Sequence, residues 1–173
     1  MFDFCLVGGG MVGSAMALGL AKLGFKVAII EPSMPVPFEL IQSPDMRVSA
    51  ISLTSETLLQ NLGAWTHIKS MRVCPYKRLS VWDEPSCRTD FDCKAIEQPH
   101  LGHIIENRLV QLGLHAAIVV ENNVVFYENL KVTDIASTDI TEITLEDGQI
   151  IQAKILIGAD GGQSLVRDAA KIG

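Results

Sequence analysis

Three consecutive glycines, Gly8, Gly9 and Gly10, followed by Gly13, constrain this chain more than any other feature of its sequence. They come directly after Phe2-Asp-Phe-Cys-Leu-Val7, a short apolar run that reads as a buried strand stopped by a tight turn. From Gly13 to Leu23 small residues recur at Gly13, Ala17 and Ala21, with Leu20 beside them. That spacing predicts a helix with one face able to lie close against a sheet, ended by Gly24. Lys26 to Glu31 reads as a second strand, and strand, helix and strand in so short a span predict a right-handed parallel unit. In that context the spacing of Gly8, Gly10 and Gly13 is a dinucleotide-binding fingerprint. Gly8 permits the tight turn, Gly10 lets a pyrophosphate approach the backbone, and Gly13 lets helix and strand close, while the helix start at Met11 and Val12 supplies N–H donors. Glu31 closes the second strand. A carboxylate there can accept both hydroxyls of an adenosine ribose and would repel a 2'-phosphate, so the bound adenosine is expected to be that of FAD or NAD rather than NADP. Spacing alone does not separate those two.

The rest of the chain divides into stretches of different character. Pro32, Pro35, Pro37 and Pro44 exclude a central strand or helix between residues 32 and 44 and predict a long surface loop. Thr54 to Leu62 has the start signals and leucine spacing of a helix, with Gly63 as its stop. Residues 77–106 hold strand-like pieces at Arg78–Trp82, Thr89–Asp92 and His103–Glu106, expected to form an antiparallel sheet outside the first unit. Asn107 to Val120 returns to helical spacing, Val124 to Tyr127 reads as a short strand, and Thr141–Leu145 and Ile150–Lys154 flank a hairpin signal at Glu146-Asp-Gly148. Ile155-Leu-Ile157 then runs into Gly158-Ala-Asp-Gly161 and a short helix from Ser164 to Lys171. The expected fold class is therefore α/β, a Rossmann-like domain formed by residues 1–76 and 107–173, with the start of an antiparallel substrate-domain sheet inserted at 77–106. The end at Gly173, just after that helix, reads as a truncation.

Charge and cysteine content narrow the partners. Fourteen basic against twenty acidic residues give a formal charge of -6, and no Lys/Arg run exceeds two, so nucleic acid is not an expected partner. Cys5, Cys74, Cys87 and Cys93 form no C-x-x-C pair in a chain too large to need a disulfide frame, which points to a reducing compartment. The last three are expected to be packing residues. The uncharged run from Cys5 to Ala21 is preceded by Asp3 and interrupted by glycines, against either a signal peptide or a membrane helix. A cytoplasmic protein with peripheral membrane contact at most is the expectation. His100 and His103 form His-x-x-His, but Pro99, Leu101 and Gly102 break helical spacing and no third ligand is near in sequence, so no metal is expected. Core packing is the default for Trp65 and Trp82, with a quinone site as the alternative.

The glycine motif, extended by Ala17, Leu20, Gly24 and Val27 before Glu31, resembles the flavoprotein aromatic hydroxylases, the p-hydroxybenzoate hydroxylase-like monooxygenases. Ile155-Leu-Ile-Gly-Ala-Asp-Gly-Gly-Gln-Ser-Leu-Val-Arg167 is similar to the family's Asp-Gly motif, used near the ribityl and pyrophosphate of FAD. The resemblance is closest to the ubiquinone-biosynthesis branch and covers the whole chain, through Arg47-Val-Ser-Ala-Ile51, Leu62-Gly-Ala-Trp65, Val81-Trp-Asp83 and Leu101-Gly-His-Ile-Ile-Glu-Asn107. Within it, Met71–Leu79 is most similar to the benzoquinol hydroxylases, while the octaprenylphenol and methoxyphenol hydroxylases share most other motifs. The resemblance implies FAD as cofactor, NAD(P)H as electron donor, O2 as co-substrate and a polyprenylated quinol as substrate, with other ubiquinone-biosynthesis proteins as delivery partners. It places Arg47 beside the flavin, Asn107 against the ribityl chain, the Val132 backbone at adenine, and Asp160 and Gly161 at ribityl and pyrophosphate. Plain alternatives are a surface arginine, a helix-capping asparagine, a core valine and a strand-ending Asx turn. Relatives carry a further Gly-Asp motif and most of the substrate sheet beyond this chain's last residue. A non-catalytic nucleotide-binding fragment is therefore the competing class, and an NAD-dependent dehydrogenase is disfavoured by Asp160-Gly161.

Overall fold

The structure is a computed structural model that describes residues 1–84, 86–137 and 139–172, with the Ser137 side chain left aside. Its centre is a strand, β1 (Phe2–Val7), followed by helix α1 (Met11–Lys22) and strand β2 (Val27–Glu31), the parallel unit expected from the glycine motif. β1 and β2 read as continuous apolar runs because both faces of the sheet are covered. Leu6, Val27 and Ile29 are fully buried on the side of α1, whereas Cys5, Ala28 and Ile30 are fully buried on the other. The chain next crosses the proline segment and forms a short strand, β3 (Val48–Ser52), then helices α2 (Leu53–Asn61) and α3 (Trp65–Met71) and strand β4 (Cys74–Tyr76). A hairpin of β5 (Arg78–Trp82) and β6 (Arg88–Asp92) leads through a 3-10 turn to β7 (Gly102–Glu106) and helix α4 (Asn107–Ile118). The last part comprises β8 (Val124–Glu128), β9 (Val132–Ser137), β10 (Thr141–Leu145), the long β11 (Ile150–Gly158) and helix α5 (Leu165–Ala169).

Six of these strands form one sheet in the order β8-β2-β1-β11-β10-β9. The first four are mutually parallel, and β9 and β10 add antiparallel at the far edge. Helices α1 and α4 pack on one face through Ala17, Leu18, Leu109 and Leu114, joined by Leu59 from α2 and Ile68 from α3. The opposite face is closed by the sheet's own antiparallel arm, whose Ile143, Leu145 and Ile151 cluster with Cys5, Val7, Ala28 and Ile30. β11 is long enough to serve both halves: Ile150–Ala153 pair with β10, while Ala153–Gly158 pair with β1.

The segment at 77–106 differs from the single sheet expected of it. Among the described residues β5 and β6 pair only with each other, whereas β7 lies between β3 and β4 in a separate antiparallel sheet, in the order β3-β7-β4. Strands β3, β4 and β9 and helix α3 have no clear periodic signal. β4 has three residues and α3 seven, too few for a period to show, while in β3 the half-buried positions are Ser49 and Ile51 and in β9 Val132 and Ile135, so neither strand places an apolar residue at every second position. All four cysteines are free, but only Cys5 and Cys93 are buried; Cys74 and Cys87 are exposed and so are not packing residues. Burial pushes the Cys5 thiol up to about 12, which keeps it protonated and inert at neutral pH. Trp65 sits in the core, while Trp82 on β5 is exposed. No helix of the described residues is long and apolar enough to cross a membrane.

α1 approaches β1 so closely that a Cβ on Gly13 would lie 1.9 Å from the Gly8 carbonyl oxygen. Both partners there are backbone, so nothing flexible can give way. Gly13→Ala should therefore cost about 2 kcal/mol or more of stability by overpacking, read as a lower urea midpoint at unchanged m-value.

Candidate functional site

The turn between β1 and α1 faces a concave surface made of two adjoining clefts. One, of about 470 Å³, is lined by Gly8, Gly10, Glu31, Leu130, Lys131, Val132, Asp160 and Gly161 among others. The second, of about 610 Å³, is lined by Gly10, Met11, the Ser33–Val36 stretch, Asp45–Arg47, Asn107, Arg108 and Gln111. Gly10 belongs to both, so the N-terminus of α1 forms the ridge between them.

Tertiary packing sets the turn in a specific orientation. The Gly9 carbonyl accepts three hydrogen bonds: from Ser14 Oγ at 2.8 Å, from Gln111 Nε2 at 3.0 Å and from His115 Nε2 at 2.7 Å. Because that carbonyl can only accept, His115 must carry its proton on Nε2. In a trans peptide the C=O and the following N–H point in opposite directions, so drawing the Gly9 carbonyl toward α4 sends the Gly10 N–H the other way. On the near side, Gly9 N–H donates to Glu31 Oε2 at 2.7 Å and Ser33 N–H donates to Glu31 Oε1 at 3.0 Å. Glu31 thus ties the glycine turn to the end of β2. Each of its oxygens keeps lone-pair capacity for a further donor such as a ribose hydroxyl. Gly10 caps α1 with no side-chain hydrogen bond, which leaves the first-turn N–H groups of Met11 and Val12 as donors for an anion. The Val12 side chain lies in an apolar groove between α1, α2 and α4, so only its backbone serves the clefts.

The other residues singled out from sequence fall in different places. Val132, at the start of β9, and Gly161, at φ +83°, line the Glu31 cleft. Asp160 lines it too, but its carboxylate accepts from Ser164 Oγ and from the Val166 N–H at 3.2 Å, organising the Gly161–Gly162 turn and the start of α5. These bonds reach four and six residues along the chain, so they are not the Asx turn named as its plain alternative. Asn107, the first residue of α4, does not cap the helix with its side chain; its Oδ1 accepts from Ser49 Oγ at 2.7 Å. Among the described residues its Nδ2 makes no hydrogen bond, and it lines the second cleft together with Arg47. The exposed Arg47 guanidinium likewise forms no ion pair among the described residues, and the Arg47 carbonyl accepts from the Asn107 N–H at 3.0 Å.

The proline segment that walls the second cleft is held by ion pairs that no local pattern announces. Buried Glu106 takes a two-pronged bond from Arg72, Nε to Oε2 and Nη2 to Oε1, both at 3.0 Å, and also accepts from the Asp45 N–H at 2.7 Å. Asp45 in turn accepts from Arg108 at 2.8 and 3.2 Å, and Arg108 Nη1 reaches the Val36 and Pro37 carbonyls. The Arg72 guanidinium holds the Glu106 carboxyl below its ordinary range, and Arg108 does the same to Asp45. Gln111, His115, Arg72 and Arg108 were missed from sequence, because their partners lie 30 to 106 residues away.

Both lowered carboxyls give stability that is complete above their ordinary pKa values and lost as pH falls through the folded ones. Tethering of residues 33–46 should therefore be constant from pH 7 to 5 and fail progressively below about pH 4. Amide exchange of that segment across the range checks this. Arg72→Ala, which strands the buried Glu106, should cost about 2 kcal/mol at pH 7, measured by denaturant unfolding.

The residues present fit FAD on their own geometry: the ridge at Gly10 has open space where a side chain would stand, with Glu31 on one flank and Arg47 and Asn107 on the other. The chain is 41% identical over 172 residues to 3-demethoxyubiquinol 3-hydroxylase of Escherichia coli (strain K12), covering 99% of this chain and 44% of that protein. It is 39% identical over 186 residues to the ubiquinone biosynthesis monooxygenase COQ6 of Xenopus tropicalis, covering 98% and 40%. The chain thus spans less than half the length of these curated relatives. Among solved structures, p-nitrophenol 4-monooxygenase PnpA of Pseudomonas putida DLL-E4 superposes with a TM-score of 0.75 at 22% identity, over 96% of this chain and 42% of that one. PqsL of Pseudomonas aeruginosa, a probable FAD-dependent monooxygenase, gives 0.77 at 16%, over 99% and 46%, a likeness of fold. The family described as "FAD binding domain" matches residues 1–173, and with a turn, ridge and acidic strand end that suit the cofactor, the chain belongs to that family.

Proposed function

We propose that these residues form the FAD-holding part of a monooxygenase that hydroxylates a polyprenylated benzoquinol in ubiquinone biosynthesis, with NAD(P)H as electron donor. The observation that carries the reading is the pair of clefts meeting at Gly10, which separates an adenosine side bearing Glu31 from a side bearing Arg47 and Asn107. The relatives' names support ubiquinone biosynthesis and a demethoxyubiquinol as the substrate class, with the sibling octaprenylphenol or methoxyphenol hydroxylation as the second reading.

Bound FAD would accept a hydride and activate O2 for transfer of one oxygen atom to the ring. This chain's own residues bind and orient. Glu31 accepts ribose hydroxyls while its Gly9 and Ser33 contacts keep it in place. The N–H groups of Gly10, Met11 and Val12 receive the pyrophosphate at the positive end of α1. Val132 and its neighbours in the same cleft flank adenine, and Asp160 shapes the Gly161 backbone that borders it. Asn107 Nδ2 donates toward the ribityl side, and Arg47 supplies a fixed positive charge where a reduced flavin carries negative charge. No acid/base pair is required of this half, since its contribution is positioning and exclusion of water. The protein is proposed to act in the cytoplasm, meeting its lipid substrate through partner proteins, and residues 77–106 to begin the wall of the substrate region.

Two variants separate the fold from the site. Gly10 sits at φ -68° and ψ -173°, open to alanine, with nothing within 4 Å of an added Cβ. Gly10→Ala should therefore leave stability within about 0.5 kcal/mol yet weaken FAD at least about tenfold, read by flavin fluorescence titration. Unchanged affinity would remove the ridge from the site. Glu31→Gln should weaken FAD too, but with some loss of stability, because it disturbs the bonds to Gly9 and Ser33. Tested by themselves, these 173 residues should release hydrogen peroxide rather than hydroxylate a quinol. Labelled O2 appearing in the ring would overturn that expectation.

A further inference from the structure

Away from the nucleotide clefts, the fold brings together one group of side chains with the composition of a metal centre. Glu56 lies in the first turn of α2, His100 in the segment leading into β7, and His103 on β7 itself. His100 Nε2 is 3.0 Å and His103 Nδ1 is 3.1 Å from the same oxygen, Glu56 Oε2. All three potential ligand atoms lie within 4.8 Å of one another. A tetrahedral ion with bonds of about 2.0–2.1 Å to nitrogen and oxygen needs its ligands roughly 3.3 Å apart, so insertion requires the Glu56 carboxylate to draw back and the two imidazoles to converge by side-chain rotation, with no change of backbone. The His-x-x-His spacing showed only two ligands; the third comes from 44 residues earlier, across the sheet-helix boundary.

We propose that Glu56, His100 and His103 bind one divalent transition-metal ion of the zinc class, with a fourth position left for water. The surroundings support this. The side chains of Glu56, His100 and His103 are 11%, 19% and 9% exposed, which shields the site yet leaves an approach beside His100. Gln60 Nε2, one turn along α2, donates to the other carboxylate oxygen, Oε1, at 3.2 Å and so turns Oε2 toward the histidines. The edge of Trp65 lies against His103, ring centres 5.1 Å apart, and fixes the plane of that imidazole. Metal binding would require each neutral ring to carry its single proton on the nitrogen turned away from Oε2, leaving the nitrogen that faces Oε2 free to ligate the ion. Two imidazoles and one carboxylate suit zinc, cobalt or nickel better than calcium or magnesium. His103 precedes Asn107 by four residues, roughly 13 Å along an extended strand, so the ion would pin α2 to the β3-β7-β4 sheet rather than touch the flavin.

Titration of chelator-treated protein with Co2+ tests the site, because visible absorption reports the coordination and thiolate ligands add an intense near-ultraviolet band that nitrogen and oxygen ligands lack. One equivalent of Co2+ should bind without the thiolate band, and Zn2+ should displace it. Changing the exposed Cys74 and Cys87 to serine should leave affinity unchanged, whereas His100→Asn and Glu56→Gln should each weaken it at least about tenfold. Circular dichroism checks that these two variants remain folded. Absence of saturable Co2+ and Zn2+ binding by the unmodified protein, a thiolate signature, or equal affinity in folded His100→Asn and Glu56→Gln would each reduce the cluster to a hydrogen-bonded Glu-His network and overturn the proposal.

Discussion

The contact on which the rest of this structure depends is backbone against backbone, where the first turn of α1 meets the carbonyl of Gly8. With no side chain at Gly13, α1 lies directly on the end of β1, and its N-terminus opens at the crest between the two clefts. The same close approach lets Ala17, Leu18 and Ala21 bury themselves against the sheet. Gly8, at φ +103°, has a conformation that side chains rarely adopt, so the turn and the helix approach are both consequences of glycine.

A second layer holds the turn once it is formed. Ser14, Gln111 and His115 draw the Gly9 carbonyl inward, while Glu31 receives the Gly9 N–H from the other side. The peptide planes of the turn are thereby fixed before any ligand arrives, so binding need not bear the entropy of ordering them. Glu31 consequently supports the turn while its carboxylate still lines the cleft. The tethered proline segment adds to this. Arg72 and Arg108, from α3's end and α4, convert a sequence with few regular hydrogen bonds into a wall of fixed position.

Much of this was legible from residue order. The β1-α1-β2 unit, the long loop after Glu31, the helix after Asn107 and the hairpin about Gly148 all carry local periodicity or turn chemistry, and the structure contains each of them. Of the elements that went unread, β4 and α3 are too short to show a period, and β3 and β9 do not place apolar residues at every second position. Asp160 shows the limit at the level of a single side chain. Its motif lies in the cleft lined by Glu31, but its carboxylate is engaged with Ser164 and Val166, bonds that a motif does not display.

What the sequence determined by itself was therefore the part of the molecule built from neighbours in the chain: where the glycine turn lies, which helix follows it, and which acid ends the next strand. Tertiary structure alone decided the rest. It chose α4 as the support of the Gly9 carbonyl, paired Arg72 with Glu106, placed β7 between β3 and β4, and carried Glu56 to His100 and His103. The physical reason is the range of the interactions. Backbone conformation and periodic burial act over a few residues and leave a pattern in the order of the amino acids, whereas a buried polar group needs only a partner in space, from wherever packing delivers one.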